Sequence, residues 1–286
     1  MSYHRTQSES QSLELPLNVE RKRPRPATAG SGRGAHHWLS GFNSKYIRTL
    51  FNIHRRCFYG GGSICYNTGM TKAQILKKTE LFVKERLQHE GTGHDWWHIE
   101  RVRNNAKLIA KTQKVDWFVV SLALHLHDVG DRKVINQHED DYTIAEDFLK
   151  SQLIKASDID HSMYIIKNMS YSSSFDTKPI KKTKEFEVVQ DADRLDALGA
   201  IGIARAFMFG GSKSQPMYNP LIKKQEKKTK GDYHAMNSST LHHFYEKLFL
   251  LKDLMNTKTA KRIAQKRHTV MQNYVSEFLA EWHGKQ

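Results

Sequence analysis

Beyond about position 70 the sequence predicts an all-α fold, and three observations carry that expectation. Apolar residues recur at spacings of three and four through most of this stretch, the period that gathers them on one face of a helix. The strict apolar–polar alternation and the Asn-Gly turns that mark strands and hairpins are absent. No segment repeats at a fixed period, which argues against a solenoid.

The elements follow in order. Residues 1–69 are rich in Ser, Gly and Arg, contain Arg23-Pro24-Arg25-Pro26 and Gly60-Gly61-Gly62, and are expected to form a disordered basic extension. Order is expected from Met70, because Thr71-Lys72-Ala73-Gln74 has the spacing of a capping box, a hydroxyl capping one amide while a Gln side chain reaches back. A helix to about Gln88 follows, with Ile75, Leu81, Phe82 and Leu87 available for burial. A second, over 96–111, carries Ile99, Val102, Ala106 and Ile109 on one face. The segment 117–127 is apolar almost all round, as a helix inside a bundle should be. Amphipathic helices are expected over 140–151 and 157–169. The stretch 186–209 reads as helical, and its Ala192, Ala197, Gly199, Ala200, Gly202, Ala204 and Ala206 would let another helix approach closely. Helices over 239–255 and 257–282 complete the chain. Residues 210–237, with two prolines and the run Lys223-Lys224-Gln225-Glu226-Lys227-Lys228, read either as a solvated loop or as a basic lid over an anionic substrate.

Composition narrows the function. The 286 residues, 38% apolar and 26% charged, suffice for one substantial core, so a single main domain over 70–286 is the simplest organisation. No run approaches the roughly 18 apolar residues of a membrane-spanning helix, and no secretory apolar core stands at the N-terminus. A cytoplasmic protein without membrane partners is expected. Residues 45–59 have the Arg-rich character of an organelle-targeting peptide, but Glu9, Glu14 and Glu20 count against that. With only Cys57 and Cys65, both in the extension, a disulfide scaffold or thiolate zinc site is disfavoured. The net charge of +15 suggests an anionic partner. However, the first 69 residues hold ten Lys and Arg against three Glu, so the domain itself is only moderately basic and nucleic acid is not the expected partner.

Chemistry concentrates at His127-Asp128, at the end of the apolar helix and just before Gly130. Burying an imidazole beside a carboxylate costs free energy unless each is hydrogen-bonded or bound to a cation. Alone, such a dipeptide is more often structural. Two further stretches add weight: His94-Asp95-Trp96-Trp97-His98-Ile99-Glu100-Arg101-Val102, and Gln190-Asp191-Ala192-Asp193-Arg194-Leu195-Asp196. Two imidazoles and carboxylates drawn from three helices make a mixed nitrogen and oxygen site for one divalent ion, Mn²⁺ first, with Mg²⁺, Fe²⁺, Ni²⁺ or Zn²⁺ as alternatives. Four protein ligands leave positions for water and substrate oxygen.

The order His98, His127-Asp128, then an aspartate resembles the H…HD…D signature of the HD superfamily. It is closest to the bacterial YedJ/YpgQ-type HD hydrolases, whose wording is similar at 94–102, 126–133, 190–205 and from His243-Phe244-Tyr245-Glu246-Lys247-Leu248 to Glu281-Trp282. The resemblance spans about 71–284. It implies an all-α bundle with the ion at its centre, held by His98, His127, Asp128 and Asp193, and metal-dependent hydrolysis of phosphate esters or anhydrides. For this branch it implies nucleoside triphosphates cut between the α and β phosphates. Spacing alone leaves Asp191 and Asp196 open as alternatives to Asp193; the Ala-Asp-Arg-Leu wording selects Asp193.

The neighbours receive roles by position. Asp131 is a candidate to orient or deprotonate water, and Arg132 and Lys133 to hold phosphate oxygens, against the alternative of a salt-bridged turn. Arg132 is grouped with Asp131 as catalytic, while Lys133, Arg101, His94 and Arg194 are candidate substrate contacts. His94, four residues before His98, would share its face only on a continuous helix, and Gly91-Thr92-Gly93 argues that the helix has barely begun there. His125 points about 200° from His127 around the helix and is read as a core residue. A rival reading makes the bundle a scaffold for nucleic-acid or protein binding, and a second makes it a phosphodiesterase or alarmone hydrolase on the same site.

Overall fold

The computed structural model describes residues 70–131, 134, 141–175, 179–222 and 238–285. Arg132, Lys133, the extension 1–69 and the basic run of 223–228 lie outside the described residues. Every regular element among the described residues is a helix or a 3₁₀ turn, with no strand, as the periodicity predicts.

Helix α1 spans Lys72–Leu87 and opens on the expected capping box: the Gln74 amide donates to Thr71 Oγ1 at 3.3 Å, and the Thr71 amide donates to Gln74 Oε1 at 2.9 Å. Its buried row is Ile75, Thr79, Val83 and Leu87, one residue every four. Leu81, expected inside, is 55% exposed because it lies off that row, whereas Phe82 packs partly buried on Phe148. Helix α2, Trp96–Ala110, buries the expected Ile99, Val102, Ala106 and Ile109. Helix α3, Trp117–Leu126, is buried at every residue from Phe118 onward and packs against α1, α2, α5 and α6, which makes it the central rod of the bundle. Helices α4, Thr143–Lys150, and α5, Ala156–Asn168, follow, and a short 3₁₀ turn at Ser172–Phe175 leads on.

The stretch 186–209 is not one helix. Helix α6, Lys184–Asp196, ends at Ala197, and α7 runs over Gly199–Ser212. Leu198 is extended and Gly199 has φ +74°, a left-handed conformation that disfavours side chains with a Cβ. A Cβ on Gly202 would stand 2.3 Å from the Ala197 carbonyl oxygen, so this glycine allows α7 to fold back over the end of α6. The expected helix over 239–255 is also shorter. Helix α8 covers Thr240–Glu246, and after Lys247, at φ −141° and ψ −57°, the chain tightens into a 3₁₀ turn at Leu248–Leu250. Helix α9, Lys258–Trp282, is capped by Thr257 and packs along α7 and α6. The pairing of α2 with α6, each crossed by α3, brings three chemically loaded helix segments together.

Candidate metal centre

Local capping fixes the first ligand candidate. Asp95 caps α2, its carboxylate accepting from the His98 amide at 2.8 Å, so His98 occupies the first turn and His94 precedes the helix. His98 is fully buried, and its Nδ1 lies 2.7 Å from Asp196 Oδ2. His127 sits at the C-cap of α3, with Nδ1 2.9 Å from the Leu124 carbonyl oxygen. An ionised carboxylate and a carbonyl can only accept, so each Nδ1 carries the proton and each Nε2 presents a lone pair.

Those lone pairs face each other. The two Nε2 atoms are 3.3 Å apart, and carboxylate oxygens close around them. Asp128 Oδ2 is 3.3 Å from His98 Nε2, and Asp128 Oδ1 is 3.3 Å from His127 Nε2. Asp193 Oδ1 lies 3.4 Å and 3.8 Å from the same two nitrogens. Asp128 Oδ2 is buried and makes no hydrogen bond among the described residues. Four acceptors converging without a donor repel one another unless a cation lies among them. Ligand atoms about 2.1 Å from an ion stand roughly 3.0 to 3.4 Å apart in octahedral or tetrahedral arrangements, close to the spacings seen here. His98, His127 and Asp128 could therefore hold an ion, with Asp193 at its more open side. Burial alone would raise the Asp128 carboxyl, but the neighbouring His127, His94 and His98 outweigh it and hold it well below the usual carboxylate range. Burial and Arg205 oppose a charge on His98, yet the bonds that the protonated ring would make to Asp128 and Asp196 prevail and raise its pKa. A proton is thus attracted to the place an ion would occupy.

The other two aspartates of α6 have separate work. Asp196 accepts from His98 Nδ1, from Arg101 through Nε at 2.8 Å and a terminal nitrogen at 3.1 Å, and from Arg205 at 3.0 Å. Burial would raise its carboxyl; His98 and Arg101, with Arg205 behind them, draw it far below the usual range. It fixes the tautomer and direction of His98, as carboxylates behind metal-binding histidines do. Asp191 faces the other way and accepts from the amides of Asn256 and Thr257, Asn256 Nδ2 and Thr257 Oγ1, each at 2.8 Å, clamping the start of α9.

A cleft of about 920 Å³, counting its open mouth, leads to the cluster. His94, Asp131 and Arg194 line it, together with His127, Asp128 and Asp193. His94 is set there by the Glu90 carboxylate on its amide and by Thr92 Oγ1 3.0 Å from its Nδ1. Arg194 is buried and donates to the Leu254 carbonyl oxygen at 2.5 Å. Arg101 directs Nε and one terminal nitrogen to Asp196 and is not part of the cleft wall. His125 is buried, with Nδ1 2.6 Å from the Ser121 carbonyl oxygen and its ring against Trp96; burial lowers its pKa.

Sequence reasoning assigned nothing to Arg205 and left Asp196 only as an alternative ligand. Arg205 also donates to the Gly93 carbonyl oxygen at 2.8 Å, tying α7 to the loop before α2. On a helix continuous with Asp193 it would stand three turns away, and only the reversal at Gly199 returns it to the site. The rim residues Tyr171 and Lys247 also carried no assigned role.

No family model matches the chain. The chain is 35% identical to YpgQ of Bacillus subtilis over 208 residues, 73% of this chain and 94% of that protein. The crystal structure of YpgQ in complex with ADP is similar at a TM-score of 0.58 and 34% identity, over 74% of this chain and 96% of the other. An HD-superfamily hydrolase from Bacillus thuringiensis is similar at a TM-score of 0.56 and 38% identity, over 75% of this chain and 100% of the other. A Lactobacillus plantarum protein reaches a TM-score of 0.68 at 37% identity, over 76% and 100%. With its His-His-Asp cluster intact, the chain belongs to the HD superfamily, in the branch that includes YpgQ, and is a metal-dependent phosphohydrolase.

Proposed function

We propose that this protein hydrolyses nucleoside triphosphates between the α and β phosphates, releasing the monophosphate and pyrophosphate, with one divalent ion, Mn²⁺ first, held by His98, His127, Asp128 and Asp193. The observation that carries the metal-dependent part is the convergence of two imidazole lone pairs and two carboxylates around a point that no donor among the described residues fills. The nucleotide part is supported by the complex of the related YpgQ with ADP, and the cleavage position by the resemblance to YedJ/YpgQ-type hydrolases. An ion at this site supplies a Lewis acid and lowers the pKa of water it binds.

The remaining work belongs to side chains. Asp196 holds His98 in the Nδ1-protonated tautomer, so that Nε2 stays available. Asp131, whose amide donates to the Asp128 carbonyl oxygen at 3.2 Å, takes the proton of the attacking water from its place in the cleft wall. His94 and Arg194 contact phosphate oxygens, and Arg132 and Lys133 follow Asp131 closely enough in sequence to join them. Arg101 and Arg205 act indirectly by balancing Asp196.

The test is a screen of the full chain with Mn²⁺ against nucleoside tri-, di- and monophosphates, cyclic dinucleotides and alarmones, with products separated by chromatography. Monophosphate and pyrophosphate in equal amounts from a triphosphate are expected. Stepwise release of orthophosphate would refute the cleavage position, and turnover of diesters or alarmones alone would refute the substrate class.

A further inference from the structure

Beyond the metal centre, the cleft wall changes character. Ile166, Met169 and Leu251 give it an apolar side, and Tyr171 stands beside Ser170 and Ser172. Lys247 enters from the kink between α8 and the 3₁₀ turn, and its ammonium lies 5.4 Å from the centre of the Tyr171 ring. Three cationic side chains, Arg194, Arg205 and Lys247, line the cleft among the described residues. Arg205 is committed to Asp196 and the Gly93 carbonyl oxygen, and Arg194 is anchored through one terminal nitrogen to the Leu254 carbonyl oxygen. Lys247 differs from both. Among the described residues it has no carboxylate partner, those of the metal centre included, and its ammonium is stationed by an aromatic face alone.

An ammonium has three donors to satisfy, and that of the partly buried Lys247 meets no acceptor among the described residues. The ring attracts the cation while leaving its outer side available, which sets its position without neutralising it. A phosphate group in the cleft would supply both the missing charge and the missing acceptors. We infer that Lys247, held over Tyr171, binds the part of the phosphate chain beyond the phosphoryl group at the metal centre, and thereby selects nucleoside polyphosphates over monophosphates. This inference rests on the proposed nucleotide function. A monophosphate has one anionic group, which the metal centre engages, and nothing to offer Lys247; a triphosphate engages both.

The test compares two ligands with the same base, the monophosphate and an α,β-methylene triphosphate, by calorimetric titration of the Mn²⁺-loaded full chain. Lys247→Met keeps the aliphatic stem and removes the charge. It should weaken the triphosphate analogue by about tenfold or more, one charge-assisted contact, and the monophosphate by less than about threefold, with metal content and melting temperature preserved. Lys247→Arg should restore most of the discrimination, and Tyr171→Ala, which removes the ring, should reduce it while Tyr171→Phe does not. Equal weakening of both ligands in Lys247→Met, or no change in either, would overturn the role of Lys247. Failure of the wild-type protein to bind either nucleotide would instead overturn the proposed function, and the inference with it.

Discussion

Asp196 shows how much a single carboxylate decides at this site. It accepts from His98, Arg101 and Arg205 at once, and through His98 it determines which nitrogen is left available to an ion. Asp196→Asn keeps the volume but loses the charge that fixes the Nδ1–H tautomer, and metal affinity should fall by about 10- to 100-fold while the fold survives. Titration with Mn²⁺, monitored by its paramagnetic signal, measures this; unchanged affinity would remove Asp196 from the account. The pH dependence has a definite sign. His98 has a raised pKa in the ion-free protein, so its protonation stabilises that protein fully below the ordinary histidine value of about 6.5, and this contribution is lost as pH rises through the raised value. Metal needs the unprotonated Nε2, so affinity should run oppositely, falling with decreasing pH from somewhat above pH 6.5. Affinity that stays flat across that range would contradict the assignment of His98. His127-Asp128 and His98 were legible in sequence because a polar pair closing an apolar helix is costly without a cation. The division of labour among Asp191, Asp193 and Asp196 was not. Residues five apart lie about 140° apart around a helix, and which side faces α2 or α9 is decided by packing.

At the scale of elements, the sequence showed helices well where one buried row or a cap marked them. The Thr71 capping box and the faces of α2 and α3 are examples. It failed where the chain turns without the usual signals. Ala197-Leu198 carries no proline, and the glycines at 199 and 202 read as helix-packing residues although they permit the reversal between α6 and α7. In α1 the burial of Val83 instead of Leu81 follows from an every-fourth-residue row that hydrophobicity alone does not select. Asp191 belongs to this scale, since it joins α6 to the first turn of α9 through two backbone amides and two side chains. Asp191→Ala leaves those buried donors without acceptors and should destabilise the fold by about 2 to 4 kcal/mol, with metal content unchanged at temperatures where the protein stays folded. Chemical denaturation beside elemental analysis checks both. Loss of metal from folded Asp191→Ala protein would show that Asp191 and Asp193 have been assigned the wrong way round.

For the whole molecule, the excess positive charge is a poor guide to function because residues 1–69 carry ten of the 45 Lys and Arg but only three of the 30 Asp and Glu. Among the described residues, the core and the candidate metal centre are built from Met70 onward. A chain beginning at Met70 should therefore fold, melt within about 3 °C of the full chain and retain its hydrolytic activity, since α1 begins with its own cap at Thr71. Unfolding or inactivity of the shortened chain, with the full chain active, would place the domain boundary elsewhere.

On the proposed function, the convergent acceptors on α2, α3 and α6 bind the ion on which hydrolysis depends. The most direct measurement is metal content by elemental analysis, with turnover and melting curves, for Asp128→Asn, Asp193→Asn and His125→Ala. Each Asp→Asn change preserves volume and removes a charge that balances the cation, so bound metal and turnover should be lost together, by at least the roughly 10- to 100-fold typical of more remote changes. His125 hydrogen-bonds the Ser121 carbonyl oxygen and packs on Trp96, away from the cluster. Its replacement should cost about 2 to 4 kcal/mol of stability yet leave stoichiometric metal in the folded protein. Stoichiometric metal and near-normal rates in both Asp→Asn variants, with metal lost from His125→Ala, would contradict the account.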